Sequence, residues 1–157
     1  LTTALVGILS FLAFAPYDQK WILVLSYLYL VSILTSSSTE NKWLHILLWG
    51  FGLWFAGTFW LIVSIHYHGN VHIVLAVIAL IFLGFLLSSI FVLPIMLFTY
   101  IKRISNFTNA LILSSILILL ESARFFILGG FPWLQPGVIF LDTILDFLIP
   151  IIGVILS

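Results

Sequence analysis

Apolar residues run through this chain in long blocks, and the polar positions that interrupt them fall into a few short clusters. Blocks of this length predict membrane-crossing helices, because backbone N–H and C=O groups in hydrocarbon must pair within their own segment. A hydrocarbon core of about 30 Å takes about 20 helical residues to cross. The punctuation predicts five helices and the start of a sixth. The first covers Thr2 to Ala15 and stops at Pro16, since the residue before a proline disfavours helical geometry. The second covers Tyr17 to Leu34 and the third Trp43 to Ile65. The fourth, Val71 to Ile101, is long enough to require tilt or a bend, and Pro94 is the natural place for one. The fifth spans Asn109 to Leu128, and the sixth begins near Ile139. The expected fold is therefore all-α: a polytopic transmembrane helix bundle, with residues 1–157 forming one membrane-embedded domain.

The few charges orient the bundle. Lys42 lies in the second loop and Lys102 with Arg103 in the fourth, whereas the first, third and fifth loops hold only Lys20. The excess of Lys and Arg on the cytoplasmic side places the second and fourth loops there, with the amino terminus. "APYDQ" (15–19), "HYHGN" (66–70) and "GGFPWLQPG" (129–137) are then expected together on the outer face.

Composition supports the membrane reading: 64% of residues are hydrophobic and 6% charged, too few charges to cover a soluble domain of this size. Five basic and five acidic residues leave no net field to recruit nucleic acid. No basic segment precedes the first apolar run, so no cleavable signal is expected. The chain begins with Leu1 and stops within an apolar run at Ser157, so a fragment of a longer protein is expected. There is no cysteine, which excludes disulfides, thiolate metal sites and a thiol nucleophile within these residues.

The stretch "ESARFFILGGFPWLQPG" (121–137) is the most unusual. Glu121 and Arg124 stand at i and i+3 on one helix face, and an unpaired charge at the bilayer centre costs roughly 3 kcal/mol or more. Two readings stay open: a structural ion pair, or the polar wall of a cavity admitting a lipid headgroup, with the planar fork of Arg124 offered to phosphate. Trp133 between Pro132 and Pro136 is either an interfacial anchor or a rigid apolar wall for an acyl chain. The histidines of "SIHYHGNVH" (64–72) lack a nearby carboxylate, so they are read as wet interfacial imidazoles and no metal is expected. In the third helix, Gly50 and Gly57 are expected to let neighbouring helices approach closely. Asp142 and Asp146, a like-charged i, i+4 pair at the head of the sixth helix, are expected to face water or a cation. Nothing in the stretch supplies a nucleophile.

Three segments in order carry a family resemblance: "LAFAP" (12–16), "WGFGLWFAGTFWLIVSIHYHG" (49–69) and "ESAR…GGFPWLQPG" (121–137). Together they resemble the amino-terminal membrane domain of the apolipoprotein N-acyltransferases, over nearly the whole chain. Departures are His68 where the family has an aromatic, Ser122-Ala123 between the charged pair, and Pro136-Gly137 after the Trp-Leu-Gln. The resemblance implies a multi-pass enzyme of the bacterial inner membrane. It implies acyl transfer from a phospholipid to the amino group of the diacylglyceryl-cysteine that begins a lipoprotein, through a thioester on an enzyme cysteine. That cysteine, with a glutamate and a lysine, belongs in the family to a nitrilase-like domain that these residues do not contain. No catalytic residue is therefore assigned here, and the segment alone is expected to bind lipid and catalyse nothing, without cofactor. Glu121, Arg124, Phe131, Pro132, Trp133, Ser64, His66 and Gly69 are its implied substrate-binding residues. The competing expectations are a stand-alone membrane subunit that anchors a separately encoded enzyme, and a small transporter; the halves show no repeat to support the latter.

Overall fold

A computed structural model of the chain describes residues 1–36, 39–100, 106–127 and 133–156, and all regular structure among them is helical. α1 is Thr2–Ser10, tightened into a 3-10 turn at Phe11–Ala13; α2 is Lys20–Thr35 and α3 Lys42–Gly57. α4 is the short Leu61–Val63, which widens into a π-helical turn over Ser64–His68. α5 is Ile73–Tyr100, α6 Asn106–Ile127 and α7 Ile149–Leu156, with 3-10 turns at Pro136–Phe140 and Asp146–Leu148 between the last two.

By length and apolar character α5 and the Phe107–Arg124 part of α6 are able to cross a membrane. A third crossing exists if α3 and the Leu61–His68 segment count as one element bent by 59°. α1 and α2 are apolar but shorter; 16 residues of α2 rise only about 24 Å. The bundle is thus all-helical as expected, and the described residues hold two or three spans by this measure against the expected five and the start of a sixth.

Two boundaries differ markedly from the sequence expectation. The third helix does not continue to Ile65: it ends at Gly57, where the Thr58 hydroxyl donates to the Trp54 carbonyl at 2.6 Å and the chain turns. A Cβ on Gly57 would lie 2.2 Å from the Leu134 side chain, so a distant turn is wedged against this helix end. The fourth expected helix keeps its extent as α5, with Pro94 inside one element of 28 residues, about 42 Å and longer than a hydrocarbon core of about 30 Å. The last helix starts at Ile149 instead of Ile139. Asp142 there adopts a left-handed φ of 57° and the Thr143 hydroxyl accepts from the Leu145 amide, which keeps the segment in turns. Asp142 and Asp146 are both exposed; Asp142 lies in a turn, whereas Asp146 opens the 3-10 turn that runs directly into α7. Lys102 and Arg103 lie outside the described residues.

α1, α2 and α3 pack as one unit because small residues let them approach. A Cβ on Gly7 would fall 2.0 Å from the Trp49 carbonyl oxygen, and one on Gly52 2.3 Å from that of Ala4. Hydroxyls tie the same three helices. Ser26 of α2 accepts from the Trp49 indole at 2.7 Å and from the Ser10 hydroxyl, and Thr3 bonds His45 Nδ1 at 2.8 Å and the Tyr29 hydroxyl at 3.2 Å. α5 packs on α3 through Gly50 and Ser88, whose hydroxyl donates to the Leu47 carbonyl at 2.6 Å, and through Phe51 stacked on Phe85. Leu93, Phe82, Leu119 and Phe126 point outward and stay exposed, as lipid-facing side chains do.

Close packing at these glycines predicts an order of sensitivity. Gly7→Ala and Gly52→Ala each lose about 1–3 kcal/mol by overpacking, because the obstructing atoms are backbone. Gly84→Ala, whose Cβ would meet the Phe51 ring at 3.2 Å and the Phe55 side chain at 3.7 Å, stays near neutral, its contact offset by about 1 kcal/mol of helix propensity. Thermal unfolding in detergent checks this; equal losses at all three positions contradict the backbone-crossing account.

Candidate functional site

Glu121 and Arg124 occupy the last two turns of α6, where a cation complements the helix dipole. Both are buried, at 7% and 1% exposure, so the charges need partners inside the protein. Arg124 Nε donates to Glu121 Oε2 at 3.0 Å, and Nη2 donates to the same oxygen. On its other side Nη1 donates to the Trp133 carbonyl at 2.9 Å. The guanidinium carbon sits 4.8 Å from the centre of the Trp54 ring on α3, a cation–π seat worth about 2 kcal/mol when desolvated. Among the described residues, groups from α6, α3 and the 133–135 turn thus converge on one side chain.

Trp133 itself turns outward. Its ring lies 4.9 Å from that of Trp60, at the bend between α3 and α4, and both rings are about half exposed. Leu134 follows with a left-handed φ of 55°, an unusual conformation for a branched residue, and its side chain fills the space left by Gly57. Around these residues opens a pocket of about 630 Å³, walled by Phe14, Pro16, Tyr17, Phe59, Trp60 and Trp133. That volume is within the range of small-molecule sites. Two of the three segments expected on one face, residues 15–17 and 133–135, therefore meet at one end of the bundle. Lys20 strengthens this junction by donating to the Leu141 carbonyl.

The remaining implied site residues divide. Ser64, His66 and Gly69 belong to the π turn that follows α4. The Gly69 amide donates to the Ser64 carbonyl at 3.2 Å, and His66 Nδ1 donates to the Val71 carbonyl at 2.7 Å. A Cβ on Gly69 would lie 2.6 Å from the Ile65 carbonyl oxygen, so glycine closes the turn. These groups act within their own turn, whereas Glu121, Arg124 and Trp133 form a connected set. Phe131 and Pro132 lie outside the described residues. Among the described residues no three His, Asp or Glu side chains gather in a way that would hold a metal.

Sequence reading missed Trp54 as the seat of Arg124, and Phe14, Tyr17 and Trp60 as pocket walls. The signal was present in the density of tryptophan along "WGFGLWFAGTFW" (49–60), but composition alone does not tell which indole faces a charge.

A helical bundle with an apolar outer surface, a sealed charge pair and an aromatic mouth at one end defines a membrane-embedded domain. Comparison with known proteins carries this further. The family described as "Apolipoprotein N-acyltransferase N-terminal domain" matches residues 6–157. An apolipoprotein N-acyltransferase of Haemophilus influenzae is 34% identical over 148 residues, covering 94% of this chain and 28% of that protein. One from Pseudomonas aeruginosa is 36% identical over 159 residues, covering 96% of the chain and 30% of its own length. One from Pseudomonas putida is 34% identical, with 94% and 30% covered. The chain belongs to the apolipoprotein N-acyltransferase amino-terminal domain family, and it spans less than a third of the length of these relatives.

Removing one member of a buried pair leaves a bare charge. Glu121→Ala is expected to cost about 3–5 kcal/mol, and the paired replacement Glu121→Leu with Arg124→Met to recover most of that loss. Melting temperatures of the two variants check it; a double variant no more stable than the single one contradicts it.

Proposed function

We propose that this chain is the membrane portion of an enzyme that transfers an acyl chain from a phospholipid to the amino group of the diacylglyceryl-cysteine at the start of a lipoprotein. The observation that carries the reading is the aromatic pocket where residues 14–17, 56–60 and 133–138 meet, in a chain whose relatives are named apolipoprotein N-acyltransferases. A lipid needs an apolar wall for its chains and an opening towards the headgroup layer. Half-exposed tryptophans at a helix end suit that boundary, since their rings are apolar and their N–H groups polar.

In this reading the domain lies in the bacterial inner membrane with its amino terminus cytoplasmic, and the pocket opens to the periplasm. Trp133 lines the lipid path with Glu121 and Arg124 beneath it, Phe131 and Pro132 are assigned to substrate binding by the family resemblance, and Ser64, His66 and Gly69 shape the turn after α4. The nucleophile, its glutamate base and a lysine belong to a nitrilase-like domain elsewhere in the parent protein. No cysteine is present in residues 1–157, so this segment alone forms no thioester and transfers nothing. Phospholipid and lipoprotein are its partners, and no cofactor takes part.

The test is a chimera in which residues 1–157 replace the matching portion of the Pseudomonas aeruginosa relative, expressed in cells depleted of their own enzyme. Mass spectrometry of a lipoprotein amino terminus is expected to show the third acyl chain. Diacylated lipoprotein only, with the chimera present in the membrane in normal amount, refutes the reading. Residues 1–157 expressed alone are expected to give no transfer.

A further inference from the structure

We propose that Arg124 is a positioning residue: it holds the backbone at Trp133 so that the Trp133 ring stands against Trp60 at the pocket mouth, and it makes no contact with lipid phosphate. The geometry carries this. Arg124 is 1% exposed and lies behind Trp133 rather than in the pocket wall. Its Nε and Nη2 are directed to Glu121 within α6, its Nη1 to the Trp133 carbonyl, and its face to Trp54. A guanidinium is able to make these contacts at once because its donors form a rigid fork around a flat, stackable centre. The bond to Trp133 joins α6 to a turn nine residues further on. That turn is not otherwise an easy one to hold, since Leu134 is left-handed at φ 55° and has no glycine's freedom.

The link from this clamp to the pocket is short. The carbonyl that Arg124 holds belongs to the residue whose ring meets Trp60, and the next side chain, Leu134, fills the gap at Gly57. Releasing the carbonyl frees both. The ring then loses its fixed distance from Trp60, and the pocket loses one wall while α1, α2 and α3 keep their own glycine and hydroxyl contacts. Glu121 serves as the counter-charge that makes a buried arginine tolerable. The proposal rests on the reading of the pocket as a lipid path for its kinetic consequence, and on geometry alone for its structural one.

Both consequences are measurable in the full-length parent protein, reconstituted in phosphatidylethanolamine nanodiscs. Amide hydrogen exchange over residues 133–140 is expected to quicken about tenfold in Arg124→Lys, with α1–α3 unchanged. The Glu121→Leu with Arg124→Met variant, which keeps the fold by removing both charges, is expected to show the same local quickening. Unchanged exchange over 133–140 in these variants overturns the proposal. For acyl transfer, Arg124→Lys is expected to raise the phospholipid KM about tenfold with kcat within about twofold, and to change KM by less than about twofold when added to Trp133→Ala. If the two substitutions instead multiply, Arg124 acts on the lipid directly and the proposal falls. A parent protein with no acyl transfer at all sinks the functional reading, and the exchange measurement still decides the role of Arg124.

Discussion

A guanidinium shut away from water must be met by fixed partners, and the pocket end of this bundle is arranged around that requirement. Arg124 lies at the end of α6 with a carboxylate one turn back, a tryptophan face from α3 beneath it and a carbonyl from the 133–135 turn beside it. Each partner comes from a different element, so the side chain works as a three-way joint. Removing charge from this position would free α6, α3 and the turn from one another at the place where Trp60 and Trp133 meet. In hydrocarbon such a joint gains strength, because no water competes for the donors.

The joint relies on Trp54 being held still, and that depends on the far half of the bundle. Trp54 lies on α3, which is fixed between α1 and α5 by contacts that tolerate no extra atom: Gly7 against the Trp49 carbonyl, Gly52 against that of Ala4, Gly50 against Ser88. Apolar association between helices is weak in lipid, so close backbone approach and hydrogen bonds carry the packing. The Ser10–Ser26–Trp49 chain supplies those bonds in the interior, joining hydroxyls and an indole that are buried there. Fixed helices below, a seated arginine above them and an ordered aromatic mouth at the top form one sequence of support.

Much of this was legible before any coordinates. Long apolar blocks gave helices, because hydrocarbon leaves the backbone no other way to pair its groups. Glu121 and Arg124 declared themselves by being charged, three residues apart and surrounded by apolar neighbours. What was not legible depended on distant contacts. Nothing local to "GFGLWFAGTFW" (50–60) shows that Leu134 fills the space beside Gly57, so the break in the third helix looked like continuous span. Asp142 and Thr143 offered turn chemistry, yet the apolar residues around them dominated the pattern and moved the expected start of the last helix forward by ten residues. Trp54 read as a packing residue in a row of aromatics; that it carries a cation is a fact about α6, not about its own neighbours.

A buried ion pair is a poor device for stability, because well-packed apolar side chains of similar volume hold a core at least as well. Its presence here calls for a different physical reason, and direction supplies one. Leucine and methionine in the places of Glu121 and Arg124 would fill the same space while attracting the 133–135 turn from no particular angle. The fork of Arg124 instead fixes a single carbonyl at 2.9 Å, and with it the position of the next ring in the chain. Close backbone packing and hydroxyl bonds set how firmly this bundle holds together; the charge pair sets where one aromatic wall stands. An aromatic wall that must stand in one repeatable place needs the second property as much as the first, which is why so costly a pair lies directly behind the pocket mouth.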